Sequence, residues 1–192
     1  MSDLMEIRWH GRGGQGAKTA SILLAEAASA VGKFVQGFPE YGPERMGAPI
    51  LAFNRISDRE IRLHCNVSNP SLVMVLDPTL IGTVDVTEGL DENGIIIVNT
   101  SASPAEIRAR LDLDGGRIYC VDANQIAADT LGRPIPNTPM LAALVRVSQI
   151  LDWEQFTSEM KAQLEHKFKD RPEIVNGNLQ AIERAAKEVR AE

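Results

Sequence analysis

Gly11-Arg12-Gly13-Gly14-Gln15-Gly16 is the stretch that decides the fold of this chain, and its spacing fits G-x-G-x-x-G. An apolar run from Met5 to Trp9 precedes it, and an alanine-rich segment beginning at Ala17 follows it. A strand, a glycine turn and a helix in that order leave backbone N–H groups facing the space before the helix, where an anion is stabilised. Glycine suits this place because it has no Cβ, so the chain turns tightly and a phosphate can approach the backbone. The stretch predicts phosphate or nucleotide contact; the alternative is a turn that only packs strand on helix.

A complete nicotinamide site is the least favoured reading of this loop. Such sites place an acidic residue about 20 positions downstream, at the end of the second strand, where it holds the ribose hydroxyls. The second predicted strand, Phe34 to Phe38, contains no acid, and Glu40 follows only after Pro39. The loop instead carries Arg12 and Gln15 at its variable positions and Lys18 on the first helical turn.

The composition is that of a soluble globular protein. The chain has 192 residues, of which 44% are hydrophobic and 24% charged, which suffices for one α/β domain with a short appendage. A net charge of −6 makes nucleic acid an unexpected partner. No apolar run is long enough to cross a bilayer, and the N-terminal residues do not resemble a signal peptide. We therefore expect a cytoplasmic protein without a membrane partner.

The cysteines and histidines do not suggest a metal centre or a nucleophilic catalytic site. Cys65 and Cys120 are far apart in sequence, and an iron–sulfur cluster usually needs four thiolates. The histidines, His10, His64 and His166, show no metal-ligand spacing, and an isolated histidine is more often structural. We expect no metal to be held by this chain alone.

Strand-like and helix-like segments alternate along the chain, which predicts an α/β fold: an open, mostly parallel sheet with helices on both faces, plus a C-terminal helical arm. Ser103, Pro104 and Glu106 are placed as a helix start with a capping box, and Asp122 is placed to cap the next helix. The predicted strands cover residues 7–10, 34–38, 50–55, 61–64, 71–76, 94–99 and 118–121. The predicted helices cover residues 17–31, 79–82 as a short turn, the segment from 103, then 123–131, 138–151, 153–168 and 172–191.

Two parts of the chain are expected to play different roles. Residues 1–151 form the α/β domain with the N-terminal glycine loop, and residues 152–192 form a C-terminal helical extension of the same domain. This charged extension is either an arm or a solvated helical face on the core. Residues 50–64 are expected to form an antiparallel insert or an edge of the sheet.

Four motifs together resemble a known family. Besides residues 11–16, they are Tyr41-Gly42-Pro43-Glu44-Arg45-Met46-Gly47-Ala48-Pro49, Leu76-Asp77-Pro78 and Asn137-Thr138-Pro139-Met140-Leu141. In order and spacing they resemble the gamma subunit of 2-oxoacid:ferredoxin oxidoreductases such as pyruvate synthase. The likeness covers nearly the whole chain, and the first two motifs are its most specific part.

The resemblance implies one subunit of a hetero-oligomeric enzyme, a subunit that helps to frame the active site. Such a complex oxidatively decarboxylates a 2-oxo acid with coenzyme A and passes the electrons to ferredoxin. Thiamine diphosphate and Mg²⁺ are expected on alpha and beta subunits, and [4Fe-4S] clusters on a ferredoxin-like delta subunit. The isolated chain is then inactive. Alternatives are a scaffolding subunit, a gamma subunit of an indolepyruvate or phenylglyoxylate enzyme, or a stand-alone nucleotide-binding oxidoreductase.

The resemblance also implies a contribution to a coenzyme A site, and the chemistry of the residues around the glycine loop indicates which of them would contact it. The candidate residues are Gly11, Arg12, Gly13, Gly14, Gln15, Gly16, Lys18 and Arg45. Backbone N–H groups of residues 13–16 would receive a phosphate, with Arg12 and Lys18 adding charge-assisted bonds. Arg45 would hold a second phosphate or a partner subunit, unless it forms an internal ion pair with Glu44. Tyr41 and Met46 are expected to pack or to lie at an interface, and Asp77 to cap a turn with Pro78 rather than to catalyse.

Overall fold

A mixed seven-stranded sheet organises the chain in a computed structural model that describes residues 4–40 and 47–192. The strand order is β2-β3-β1-β4-β5-β6-β7. The strands β1, β4, β5 and β6 run parallel, whereas β3 pairs antiparallel with β1 and β2, and β7 antiparallel with β6. The strands are β1 (Leu4–Arg12), β2 (Phe34–Pro39), β3 (Pro49–Ser57), β4 (Leu72–Val75), β5 (Ile95–Asn99), β6 (Arg117–Val121) and β7 (Arg190–Ala191).

Within the described residues, six α-helices and one 3₁₀ turn follow the predicted order closely. Ser103 Oγ accepts from the Glu106 N–H at 3.3 Å and Glu106 Oε2 accepts from the Ser103 N–H at 2.7 Å, which confirms the capping box. Asp122 caps the next helix by accepting from the Gln125 N–H at 3.0 Å, also as predicted. The helices are α1 (Ala17–Ala30), α2 (Pro104–Leu111), α3 (Ala123–Leu131), α4 (Asn137–Ser148), α5 (Trp153–Lys167) and α6 (Pro172–Glu188), with the 3₁₀ turn at Pro78–Leu80.

The antiparallel strands are only partly the ones that the sequence suggests, since residues 50–55 do form an antiparallel strand within β3. The expected strand at 61–64 is wrong, because these residues form no strand and β3 finds its partners in β1 and β2. Both edges of β3 are thereby filled, so residues 61–64 cannot pair with it as the second strand of a hairpin. The expected helix end at residue 191 is also wrong: α6 stops at Glu188, and the following β7 pairs with β6.

The sheet is covered by helices on both faces, as the apolar strands predict. Ile7 and Trp9 of β1 point into a core that they share with α1 and α4. Val73 and Val75 of β4 point to the opposite face, where they pack with Ile107 of α2. The central strands are therefore buried on both sides, and their carboxyl ends meet at one edge of the sheet.

The C-terminal extension is present as two helices that pack on the domain. Phe156 of α5 and Ile182 of α6 are buried in the same core as α1 and α4. A Cβ built on Gly177 would lie 2.4 Å from the Thr130 carbonyl oxygen, so α6 and α3 approach as closely as their backbones allow. The charged residues that mark this segment in the sequence lie on its outer face, which a solvated helical surface requires.

A buried amide ties the antiparallel strands to the first helix. Asn54 is completely buried; its Oδ1 accepts from Trp9 Nε1 at 2.8 Å and its Nδ2 donates to the Ser21 carbonyl at 2.8 Å. The side chain thus links β3, β1 and α1.

Replacing Asn54 tests how strongly this link holds the domain. Asn54→Ala leaves the Trp9 N–H buried without an acceptor and removes the amide donor from the Ser21 carbonyl, so we expect the free energy of unfolding to fall by about 2 kcal/mol. Urea denaturation followed by circular dichroism measures it. The exposed Asn93→Ala serves as control and should change stability by less than about 0.5 kcal/mol. Equal effects of the two substitutions would contradict the structural role of Asn54.

Candidate functional site

The motifs converge at the carboxyl ends of β1 and β4. These strands pair in parallel, and the Leu76 N–H donates to the His10 carbonyl at 2.8 Å, just before the glycine loop. The Gly13 N–H donates to the Ala48 carbonyl at 3.1 Å, which joins the loop to the second motif. A Cβ on Gly16 would lie 3.0 Å from the Asn137 side chain, at the start of α4. Four segments that are distant in sequence therefore meet around one loop.

The carboxylate of Asp77 binds two side chains of the glycine loop. Asp77 Oδ2 accepts from Gln15 Nε2 at 2.7 Å and from Arg12 Nε at 3.1 Å. The other oxygen, Oδ1, accepts from the N–H and the hydroxyl of Thr79, at 2.9 Å and 2.7 Å. Gln15 Oε1 in turn accepts from the Arg12 N–H at 2.7 Å. Asp77 does cap the turn that begins at Pro78, as predicted, and it also fixes the loop.

These contacts control the ionisation of Asp77. Burial raises the pKa of this carboxyl, but the hydrogen bonds from Thr79 and Gln15 and the positive charge of Arg12 outweigh burial. The pKa therefore lies below its ordinary value, and the group is a carboxylate at neutral pH. The negative charge of Asp77 at neutral pH helps to orient the Arg12 side chain.

Arg12 and Gln15 are turned towards the protein. Besides Asp77, the Arg12 guanidinium donates to Thr79 Oγ1 at 3.0 Å and to the Gly47 carbonyl at 3.1 Å. Its side chain is 27% exposed. Both residues lie at the loop, as the sequence predicts. In the structure their hydrogen-bond partners are groups of the same chain.

The backbone of the loop remains partly open. Gly14 and Gly16 have positive φ angles of 98° and 83°, which only glycine adopts without strain. The N–H groups of Gly13 and Gln15 donate to carbonyls of Ala48 and Arg12. Within residues 4–40 and 47–192, the N–H groups of Gly14 and Gly16 have no acceptor. Gly16 also begins α1 without a side-chain cap, so the helix start faces the same opening.

Gly11 lies inside β1, where it pairs with Ile50, so it shapes the strand end and not the loop. Lys18 is exposed on the first turn of α1. Arg45, predicted to bind a phosphate, lies outside the described residues, and so do Glu44, Tyr41 and Met46.

A cavity of about 580 Å³ lies beside the loop. Apolar side chains form much of its wall, and charged side chains from β1, α1 and the segment before β5 also face it. The lining residues are Arg8, His10, Lys18, Pro39, Glu40, Ala48, Pro49, Ile50, Leu51, Leu80, Val84, Asp85 and Glu88. This volume is in the range of small-molecule sites.

Arg8 and His10 are the site residues that the sequence reasoning missed. Both are more than nine-tenths buried, and Arg8 Nε donates to His10 Nε2 at 3.0 Å. Arg8 Nη2 donates to the carbonyls of Val86 and Glu88, at 3.2 Å and 2.6 Å. Burial first, and then the charge of Arg8, lower the pKa of His10 to about 4, so the ring is neutral. The alternation of side chains along β1 could have identified them, because Arg8 and His10 lie on one face of the strand and its other face packs in the core.

The described part of the chain offers no residues for a metal site and no reactive thiol at Cys120. No group of three or more His, Cys, Asp or Glu side chains there could hold a metal ion. Cys65 is exposed and Cys120 is buried, and both are free thiols. Burial raises the pKa of Cys120 to about 11, so this thiol is not a nucleophile at neutral pH. None of the described helices has the length and apolar character that crossing a membrane requires.

Comparison with known proteins agrees with the motifs. The family described as pyruvate ferredoxin/flavodoxin oxidoreductase matches residues 6–188. Pyruvate synthase subunit PorC of Thermotoga maritima is 48% identical over 96% of this chain and 94% of its own length. The common gamma subunit of the pyruvate/ketoisovalerate oxidoreductases of Pyrococcus abyssi is 48% identical over 82% of this chain and 85% of its own length.

Solved structures share the fold. The crystal structure of pyruvate oxidoreductase subunit PORC from Thermotoga maritima superposes with a TM-score of 0.87 at 44% identity, covering 100% of this chain and 99% of that one. The 2-oxoglutarate:ferredoxin oxidoreductase of Magnetococcus marinus is similar in fold alone, with a TM-score of 0.73 at 18% identity over 97% of this chain and 31% of that one. The resemblance found in the sequence motifs is confirmed: the chain belongs to the pyruvate ferredoxin/flavodoxin oxidoreductase family, as a gamma subunit of a 2-oxoacid:ferredoxin oxidoreductase.

Proposed function

We propose that this gamma subunit helps to frame the active site of a pyruvate-type complex and binds a phosphate of coenzyme A at its glycine loop. The complex carries out coenzyme A-dependent oxidative decarboxylation of a 2-oxo acid. The observation that carries the proposal is the open N–H pair of Gly14 and Gly16 at the uncapped start of α1. Backbone donors in this position favour an anion, and the macrodipole of a 14-residue helix adds to them.

The neighbouring side chains divide their work in this proposal. Lys18 is exposed on the first helical turn and lines the cavity beside the loop, so it is placed to contact a phosphate. Arg12 acts by holding the loop through Asp77 and Gly47. The 2-oxoglutarate enzyme from Magnetococcus marinus, similar in fold, has coenzyme A and succinyl-CoA bound, which makes this ligand a reasonable one to test.

The redox chemistry is assigned to partner subunits. Thiamine diphosphate, when bound, supplies the electron sink that decarboxylation needs. We place it with Mg²⁺ on alpha and beta subunits and place [4Fe-4S] clusters on a ferredoxin-like delta subunit. The donor set of this chain fits that division, since a cluster usually needs four thiolates and the chain has two cysteines. Its own residues contribute binding and positioning.

A scaffolding role for the same subunit is the second candidate. It is favoured by the internal bonding of the loop, since Arg12 and Gln15, the two polar side chains of the motif, contact protein groups. In that case the loop serves to bring four segments together, and its outer surface meets another subunit.

We expect the purified chain alone to be inactive with pyruvate, coenzyme A and a ferredoxin or dye acceptor, because no side chain here supplies an electron sink. Addition of the partner subunits should restore turnover. Reduction of the acceptor by the isolated chain would contradict the division of labour.

Lys18→Gln separates coenzyme A binding from scaffolding. In the assembled complex we expect the KM for coenzyme A to rise about tenfold, equivalent to about 1.4 kcal/mol for a charge-assisted bond. The KM for the 2-oxo acid should stay unchanged. Lys169→Gln, an exposed lysine between α5 and α6, is the matched control. Impaired assembly in size-exclusion chromatography, with an unchanged KM for coenzyme A in whatever complex forms, would instead establish the scaffolding role.

Asp77→Asn tests whether the carboxylate positions the loop. The folded-state pKa of Asp77 lies below the unfolded value of roughly 4, so its charge stabilises the wild type fully above that pH and progressively less below it. We expect the variant to be less stable at pH 7 and the two stability curves to converge as the pH falls below about 4. Asp114→Asn, an exposed carboxylate, is the control. A stability gap that stays constant from pH 7 to pH 3 would show that the charge of Asp77 is unimportant.

A further inference from the structure

Arg8 is a buried cation that forms no ion pair with any carboxylate in the described part of the chain. Only 5% of the residue is exposed, and its Nε and Nη2 donate to uncharged acceptors, namely His10 and two carbonyls. Within the same described residues, Nη1 has no acceptor. A guanidinium stays protonated even when burial lowers its pKa, as it does here. The negative charges of Glu88 and Asp85 act on it without forming an ion pair, and burial still outweighs them, since the pKa of Arg8 is lowered. A buried charge that is compensated only in part is stabilised further when a group of opposite sign binds directly to it.

His10 adds a second donor to the same place. Because its Nε2 accepts from Arg8 Nε, the neutral ring carries its proton on Nδ1. That N–H has no acceptor in residues 4–40 or 47–192, although the residue is only 4% exposed and lines the cavity. The two side chains therefore place a cation and a neutral donor together in the lining of the 580 Å³ cavity.

The remaining wall limits what the ligand is. Leu51, Leu80 and Val84 contribute apolar surface to the cavity. The acidic lining residues, Glu40, Asp85 and Glu88, are all exposed, although the charges of Asp85 and Glu88 reach Arg8. An exposed charge is screened by water far more than a buried one, so Arg8 dominates for a group that reaches it. The acids nevertheless disfavour a ligand with several negative charges.

We propose that this cavity binds a small monocarboxylic acid, whose carboxylate accepts from Arg8 and His10 while its apolar body packs on Leu51, Leu80 and Val84. A single negative charge matches the single buried cation. The acidic side chains disfavour a phosphate dianion at Arg8, which distinguishes this pair from the glycine loop. The assignment goes beyond the proposed coenzyme A contact: it rests on Arg8 and His10, and although Lys18 lines the same cavity, neither Gly14 nor Gly16 takes part.

The test uses the purified full chain without coenzyme A and two isosteric probes, isovalerate and isovaleramide, followed by NMR titration. We expect isovalerate to bind at least tenfold more tightly than the amide, and phosphate to be no competitor. The Arg8 guanidinium and His10 ring signals should shift on addition of isovalerate. Shifts confined to other parts of the molecule, or equal binding of acid and amide, would overturn the proposal.

Arg8→Met makes the test specific, because it keeps the length of the side chain and removes the charge. The preference for the acid over the amide should disappear in this variant. Arg62→Met removes an arginine that is 84% exposed and should leave the preference intact. If Arg8→Met unfolds the chain, the wild-type shifts and the acid-to-amide ratio still decide the matter. An unchanged preference in a folded Arg8→Met would show that Arg8 only ties down the segment at Val86 and Glu88.

Discussion

The carboxylate of Asp77 accepts four hydrogen bonds. The arrangement of the candidate site at the carboxyl ends of β1 and β4 depends on them. Asp77 follows β4, and its donors come from the glycine loop and from the turn that follows it. The carboxylate thereby holds the glycine loop, which follows β1, in a defined conformation beside the end of β4. Since Arg12 also reaches Gly47, the second motif is held by the same interaction.

Strand β1 serves the core and the candidate site at once. Ile7 and Trp9 enter the core with α1, while Arg8 and His10 face the cavity on the other side. Side chains alternate along a strand, so these two functions share four consecutive residues without competing for space. Burial of Arg8 costs stability, whereas the hydrogen bond from Trp9 to Asn54 of β3 stabilises the opposite face of the strand.

Much of the local structure is predictable from the sequence, because local chemistry determines it. The capping box at Ser103 and the cap at Asp122 form as expected, and so do the buried central strands. The strand at 61–64 was wrong because alternation alone cannot say whether a neighbouring backbone edge is free. The roles of Arg12 and Gln15 in the loop were not deducible either, since Asp77 lies more than 60 positions away. The burial of Arg8 was not predictable, because it depends on the loop before β5.

By itself, the sequence determined the α/β class, the position of the glycine loop, and membership of the family, since these rest on patterns within short segments and on the order of motifs. Only the tertiary structure decided which strands pair around β3, which donors of the loop remain open, and that a buried arginine lies beside a cavity. The physical reason is that pairing and burial depend on contacts between residues far apart in the chain. Hydrogen-bond partners and unpaired charges become visible only once those contacts exist.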